Sequence, residues 1–287
     1  MQEVGQLIWM PLNITSALAN TDEDIASNID SALRRDYIPF NDLLGKKSGA
    51  VAIVGSGPSL KDMWKRLRKF KGDIIACNAA CQFLLDKGIV PTYAYCFDAD
   101  PLMLEFITAH QDITYLMASR CPPEAFDGLQ GCKIVCWHAK GDRDIQELLE
   151  KHGLMEPMVT GGSAAVTRAM VLAMPMGYKD VHIFGGDSSF HNGDTHIRKS
   201  TTKERRMHIM CGERIFECAP WMAVQAEDFK VLAPIMVDKL GVKLHVHGDG
   251  IIPHIAMAIG LDVDRPLRVR RFVMNWKRNA KTLWHHI

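Results

Sequence analysis

No apolar run in this chain of 287 residues approaches the ~20 residues that a membrane-spanning helix needs. The N-terminus carries Glu3 and only a brief apolar stretch, Leu7 to Leu12, too little for a signal peptide. None of the eight cysteines forms a C-x-x-C pair, and the 77/81 and 132/136 spacings have no ligand histidines beside them. They are scattered through apolar runs, as at Cys77, Cys96 and Cys136, and are expected to be reduced, buried thiols of a cytoplasmic protein. Net charge is nearly absent too. The formal value of +1 leaves no global field to draw nucleic acid or a membrane surface. No internal repeat or low-complexity tract interrupts the chain. What remains is an ordinary globular composition, 47% hydrophobic and 23% charged, with one large domain or one plus an appendage as the expected organisation.

Ala50 to Pro101 organises the rest. Five small or β-branched apolar residues, Ala50 to Val54, run into Gly55-Ser56-Gly57-Pro58-Ser59. Ser59 and Asp62 have the Ser-x-x-Asp spacing of a helix N-cap. Strand, glycine turn and helix start together aim free backbone N–H groups and a positive dipole end at an anion, usually a phosphate. A second strand ends at Asn78, and a third, Tyr93 to Phe97, ends in Asp98-Ala99-Asp100. In an open parallel sheet these strand ends line one crevice.

Strands are expected near 50–55, 73–78, 92–97, 113–118, 132–137, 180–185 and 242–247. Helices are expected near 60–70, 79–87, 101–110, 143–152, 163–176 and 221–240. Their alternation at roughly 20 residues per strand in the first half argues for βαβ units. The expected fold is therefore α/β and Rossmann-like: a mostly parallel sheet flanked by helices, with an inserted β-hairpin flap. Residues 1–48 form a helical lead-in, with a helix from Thr21 whose Ile25, Ile29 and Leu33 stripe packs across the sheet. Residues 49–260 form the main domain. Its polar flap, about 188–220, pairs Met207 to Cys211 with Arg214 to Cys218. Residues 261–287 form a basic, aromatic C-terminal arm, in which Arg268, Arg270 and Arg271 beside Trp276 offer contacts to nucleic-acid phosphates or simply a solvated helix.

Each candidate site has a plainer alternative. Gly55-x-Gly57 lacks the third glycine of a dinucleotide fingerprint, and Asn78 stands where an acidic ribose partner belongs, so NAD is disfavoured and a phosphate cradle favoured. Asp98 and Asp100, two apart on extended backbone, are expected to point the same way and share a divalent cation, unless Asp100 only caps a helix starting at Pro101. Thr160-Gly161-Gly162-Ser163 feeds a second helix start, an anion site or close helix–sheet packing. Asp187, after the strand Val181 to Phe184, is a candidate for a ribose, a sugar hydroxyl or a metal. His191 and His196 offer a general base or acid. His245 and His247 share a strand face, and Asp249 reaches the crevice edge or closes a turn.

GSGPSL, a strand ending CNAA, and LLDKGIVPTYAYCFDADP resemble the family named after archaeal 6-hydroxymethylpterin diphosphokinase, which includes bacterial motility accessory factors that glycosylate flagellin. TGGSAAVTRAMVLAMPMGYKDVHIFGGDSSF is similar to a later block of the same family, and the turns also resemble bacterial sialyltransferases that use CMP-sugars. The resemblance spans about residues 50–260. It implies that Gly55, Gly57, Pro58, Ser59, Gly162, Ser163 and Asp187 border a nucleotide, and that Asp98 and Asp100 engage Mg²⁺. The flap has no match in a pterin pocket. Three functions follow as expectations. The first is Mg²⁺-dependent diphosphotransfer from ATP to a hydroxymethyl acceptor. The second is glycosyl transfer from a CMP- or UDP-sugar to a small-molecule or glycan acceptor. The third is a non-catalytic member that binds a nucleotide or partner.

Overall fold

The computed structural model describes residues 20–197 and 205–266. Its strands are β1 (Ile38–Pro39), β2 (Ala50–Val54), β3 (Asp73–Cys77), β4 (Tyr93–Cys96), β5 (Thr114–Ala118), β6 (Lys133–Ala139), β7 (Met158–Val159), β8 (Asp180–Phe184), β9 (Met207–Cys211), β10 (Arg214–Cys218), β11 (Lys243–His247) and β12 (Asp262–Asp264). The helices are α1 (Asp22–Ala32), α2 (Leu60–Leu67), α3 (Ala79–Asp86), α4 (Pro123–Asp127), α5 (Ile145–Lys151), α6 (Ala165–Met176), α7 (Pro220–Pro234) and α8 (Ile251–Ala258). One parallel sheet runs β1-β6-β5-β4-β3-β2-β8-β11-β12, with β7 on the end of β6, and β9 and β10 form a separate antiparallel hairpin. This is the Rossmann-like α/β arrangement that the alternation implies. Val51 to Val54 are fully buried on both faces of β2. A sheet covered on both sides demands such a continuous apolar run rather than alternation, and each large side chain buried there contributes about 1.5–3 kcal/mol.

The strand order sets the position of the site. From β2 the chain builds outward through β3 to β6, then returns to lay β8 and β11 on the other side of β2. β2 and β8 are neighbours whose onward connections run to opposite sides of the sheet order, and a crevice opens at their carboxyl ends.

Local differences from the sequence expectation have identifiable causes. α1 starts from Thr21 through a capping box with Asp24, but Ile25, Ile29 and Leu33 pack on Ile145 and Leu149 in a small separate cluster instead of across the sheet. The helix expected at 101–110 is a 3₁₀ turn, Pro101–Phe106. There the Tyr115 hydroxyl, bonded to the Thr108 carbonyl and the His110 N–H, holds the following chain extended. α7 ends at Pro234 and continues as one π turn, Ile235–Lys239, because proline has no N–H for the helical ladder. The edge strands β1, β7 and β12 are two or three residues long, too short to show a period. β12 places Asp262–Asp264 within the sheet. Residues 267–287, with Arg268, Arg270, Arg271 and Trp276, lie outside the described residues, as do 1–19 and 198–204.

Candidate functional site

Three turns at the carboxyl edge are tied together by Asp187. Its Oδ2 accepts the Ser59 backbone N–H at 2.6 Å, its Oδ1 accepts the Ser59 hydroxyl at 2.5 Å, and its carbonyl accepts the Ile251 N–H at the start of α8 at 2.8 Å. The turns after β2, β8 and β11 therefore meet at one residue: the carboxylate of Asp187 holds the first and its main-chain carbonyl the last. Glycine is required where they touch: a Cβ on Gly57 would stand 2.5 Å from the Gly185 carbonyl oxygen, and one on Gly55 would stand 2.5 Å from Val166. The sequence expectation is corrected here. Ser59 makes no side-chain cap on α2, and its hydroxyl is buried against Asp187 instead of facing a ligand. Asp187 lines the crevice, but its carboxylate is committed to holding the turns.

Beside this knot lies a cleft of about 530 Å³, walled by the β2 and β8 turns, Asn78, Phe97, Asp98, the start of α6, His196 and the start of α7. Its positive charge comes from two residues the sequence did not single out, Arg120 and Arg168, set against Asp98 and Asp187 on the same wall. Their guanidinium carbons sit 4.8 Å and 4.4 Å from the centre of the Phe97 ring, which in turn stacks on Trp137. Buried Asp142 holds Arg120 at 2.7 Å. Among the described residues no carboxylate lies within ion-pairing distance of Arg168, and its buried Nε has no hydrogen-bond partner. Burial holds the Arg168 guanidinium below its usual range, with Tyr95 and Asp142 pulling the other way; an arginine stays charged regardless. Ala165, Val166 and Thr167 of the first α6 turn also line the cleft, and first-turn amides have no acceptor within their helix. Asn78 (φ 49°) and Ser188 (φ 49°), two of the four non-glycine residues with positive φ among the described residues, line the cleft as well, and strain of this kind concentrates at functional sites.

The other expected site residues divide. Ser56, Ser163 and His196 line the cleft, with the His196 ring stacked on Trp221 at 5.7 Å. Pro58, Gly161, Gly162 and His191 do not. Gly161 (φ 99°) and Gly162 (φ 76°) bend the chain under α6, where a Cβ on Gly162 would meet the Arg168 nitrogen at 2.6 Å. The backbone of His191 bridges Asp194, which pairs with Lys61. The acidic pair is also split. β4 ends at Cys96, so the extended geometry that would align Asp98 with Asp100 is lost. Asp98 is exposed on the cleft wall and accepts the Asp100 N–H at 3.1 Å, while Asp100 turns away to cap the 3₁₀ turn at the Leu102 N–H, 2.9 Å.

The hairpin has the strands that its sequence implies, yet none of its described residues lines the cleft. Arg214 of β10 forms a two-pronged ion pair with Asp249 at 2.5 and 2.8 Å, and Phe216 packs edge-on against His254 of α8. Asp249 is thus the hairpin's anchor. Arg265, which can only donate, stands 3.2 Å from His254 Nδ1, so that nitrogen is unprotonated. Burial, then Arg265 and Arg214, lowers the His254 pKa. As pH falls through the ordinary imidazole value of about 6.5, the undocked form takes up the proton first and docking weakens; above it the contribution is intact. Hydrogen exchange in residues 207–218, corrected for intrinsic rates, is expected to speed up between pH 7.5 and 5, and His254→Gln to remove that dependence.

A parallel sheet whose strand order reverses at a glycine-lined, arginine-bearing crevice defines a Rossmann-like protein. Residues 23–193 match the family described as 6-hydroxymethylpterin diphosphokinase MptE-like, and the chain belongs to that family. The fold is similar to that of the MAf glycosyltransferase from Magnetospirillum magneticum AMB-1, with a TM-score of 0.58 and 15% identity over 87% of this chain and 39% of that one. No curated protein sequence matches. Among the described residues no helix is long and apolar enough to cross a membrane.

Proposed function

We propose that the chain is a nucleotide-dependent transferase whose donor places its phosphates between Arg120, Arg168 and the first turn of α6. The observation that carries this reading is Arg168, a half-buried cation without an ion-pair partner among the described residues. A phosphate would supply the missing counter-charge in the forked geometry that suits guanidinium. The family description names a diphosphokinase and the structural neighbour is a glycosyltransferase; both are transferases, which supports the coarse assignment. The chain spans 39% of that glycosyltransferase, so its reaction is carried over only as a hypothesis.

Glycosyl transfer from a CMP- or UDP-sugar is the reaction the geometry favours. The leaving phosphate would be neutralised by protein groups, namely the two guanidiniums and the α6 amides. Asp98 and His196, on the cleft wall, are placed to exchange a proton with the acceptor hydroxyl or the leaving group. A second reading, diphosphoryl transfer from ATP, is favoured by Asp98 itself. With Asp100 spent on its cap, the residues fit Mg²⁺ only as an ion carried chiefly by the donor's phosphates, with Asp98 as protein ligand; it would offset phosphate charge there.

A thermal-shift panel of ATP, GTP, CMP, UDP and their sugars, with and without Mg²⁺, separates the readings. Stabilisation by a pyrimidine nucleotide without Mg²⁺ is expected, approaching about 4 kcal/mol at ~1,000-fold excess over Kd. Asp98→Asn is expected to leave that binding within a few-fold while lowering turnover. An ATP shift that needs Mg²⁺ and vanishes in Asp98→Asn would favour diphosphoryl transfer. No shift with any nucleotide would reject both.

A further inference from the structure

At the opposite end of β8 from the cleft, the side chains of β8, β11 and β12 form a second chemical cluster. His182 and His245 face each other in register, their rings nearly parallel with centroids 4.3 Å apart. His245 Nδ1 lies 2.9 Å from Asp262 Oδ2, so its proton sits on Nδ1. His182 Nδ1 lies 2.9 Å from His247 Nε2, and His247 turns its own Nδ1 toward Asp264, 3.6 Å away. One proton links His182 and His247: with it on His182 Nδ1, the His182 Nε2 is unprotonated, while His247 Nδ1 is buried without a hydrogen-bond partner. The Nε2 atoms of both His182 and His245 are then bare lone pairs.

Both bare nitrogens approach the same atom. Asp180 Oδ1 stands 3.2 Å from His182 Nε2 and 3.3 Å from His245 Nε2, and all three atoms lie within 4.8 Å of one another. Asp180 Oδ1 is buried without a hydrogen-bond partner. In that tautomer three acceptors converge with no proton among them, and they repel unless a cation joins them. Donors bonded at 2.0–2.1 Å to a tetrahedral ion stand about 3.3 Å apart, the spacing found here on both edges that involve Asp180.

We propose that Asp180, His182 and His245 bind a divalent transition-metal ion of the zinc class, with a fourth position open to water. The two imidazole donors select such ions over Mg²⁺. Asp262 and His247 stand behind the ligands and fix their tautomers, as partners of metal-bound histidines do. The two rings turn toward each other from their parallel stack to accept the ion. Bound there, it ties β8 to β11 and, through Asp262, to β12. Nothing in this site depends on what the cleft binds.

The test uses full-length protein without a histidine tag, stripped with EDTA and titrated with Zn²⁺ alone by calorimetry. One equivalent is expected to bind and to raise the melting temperature, with Mg²⁺ in large excess failing to displace it. Asp262→Asn is expected to weaken binding roughly 10–100-fold, and His245→Gln more than tenfold, while His208→Gln on the hairpin leaves it unchanged. Should the His245 variant not fold, Co²⁺ on the wild-type protein decides: an intense four-coordinate spectrum without thiolate charge-transfer bands supports the site. A weak six-coordinate spectrum, absence of Zn²⁺ binding, or binding indifferent to Asp262→Asn would overturn it, leaving the cluster as plain imidazolium–carboxylate pairs.

Discussion

Asp187→Ala is expected to cost about 3–5 kcal/mol of folding stability, the range seen when a buried charge loses its hydrogen-bonded network. The carboxylate accepts both the backbone N–H and the hydroxyl of Ser59, and each such bond to a charged group contributes about 1.5–3 kcal/mol. Removing it leaves two buried donors without an acceptor, and only backbone bonds such as Gly57 N–H to the Gly185 carbonyl then join the β2 and β8 turns. Ser59→Ala deletes only one of the two bonds, with an expected cost of about 1–2 kcal/mol. Chemical denaturation with an unchanged slope against denaturant measures both. A loss below about 1 kcal/mol for Asp187→Ala would show that glycine packing alone holds the turns together.

Arg168→Met is expected to weaken nucleotide binding about 30–100-fold, equivalent to losing about 2–3 kcal/mol of charge-assisted hydrogen bonding, with a loss of stability no larger than its cation–π contact with Phe97, about 0.5–1 kcal/mol. The asymmetry is the informative part. Arg168 has no ion-pair partner to orphan among the described residues, so its removal relieves a half-buried charge. Arg120→Met differs, because it strands buried Asp142 and destabilises the fold whether or not a ligand binds. Arg168→Lys keeps the charge and loses the fork, so partial retention of affinity is expected. Titration calorimetry on the two Arg168 variants, with denaturation in parallel, separates a binding role from a structural one. Equal losses in affinity and stability would remove Arg168 from the site.

Much of the sheet was legible in sequence because its central strands are buried on both faces and so appear as unbroken apolar runs, Ala50 to Val54 and Tyr93 to Cys96 among them. The hairpin was legible from Gly212-Glu213 between two matched segments. The turns that meet at the crevice were legible from their glycines, although Gly55 and Gly57 serve first to let two backbones touch. The split of Asp98 from Asp100 was not, since it turns on the strand ending at Cys96 instead of continuing. Arg120 and Arg168 were also missed: one follows a strand and the other sits on a helix, and only tertiary packing brings both over Phe97. An arginine two residues after the strand Thr114–Ala118, at the same edge as the glycine turns, was the available signal.

Hydrogen–deuterium exchange with and without saturating CMP or UDP tests the central claim most directly, because it locates the ligand without assuming a reaction. Protection confined to residues 55–59 and 163–168, and lost in Arg168→Met, is the predicted result. Tight nucleotide binding that leaves both segments unprotected, or protects a different edge of the sheet, would contradict the account.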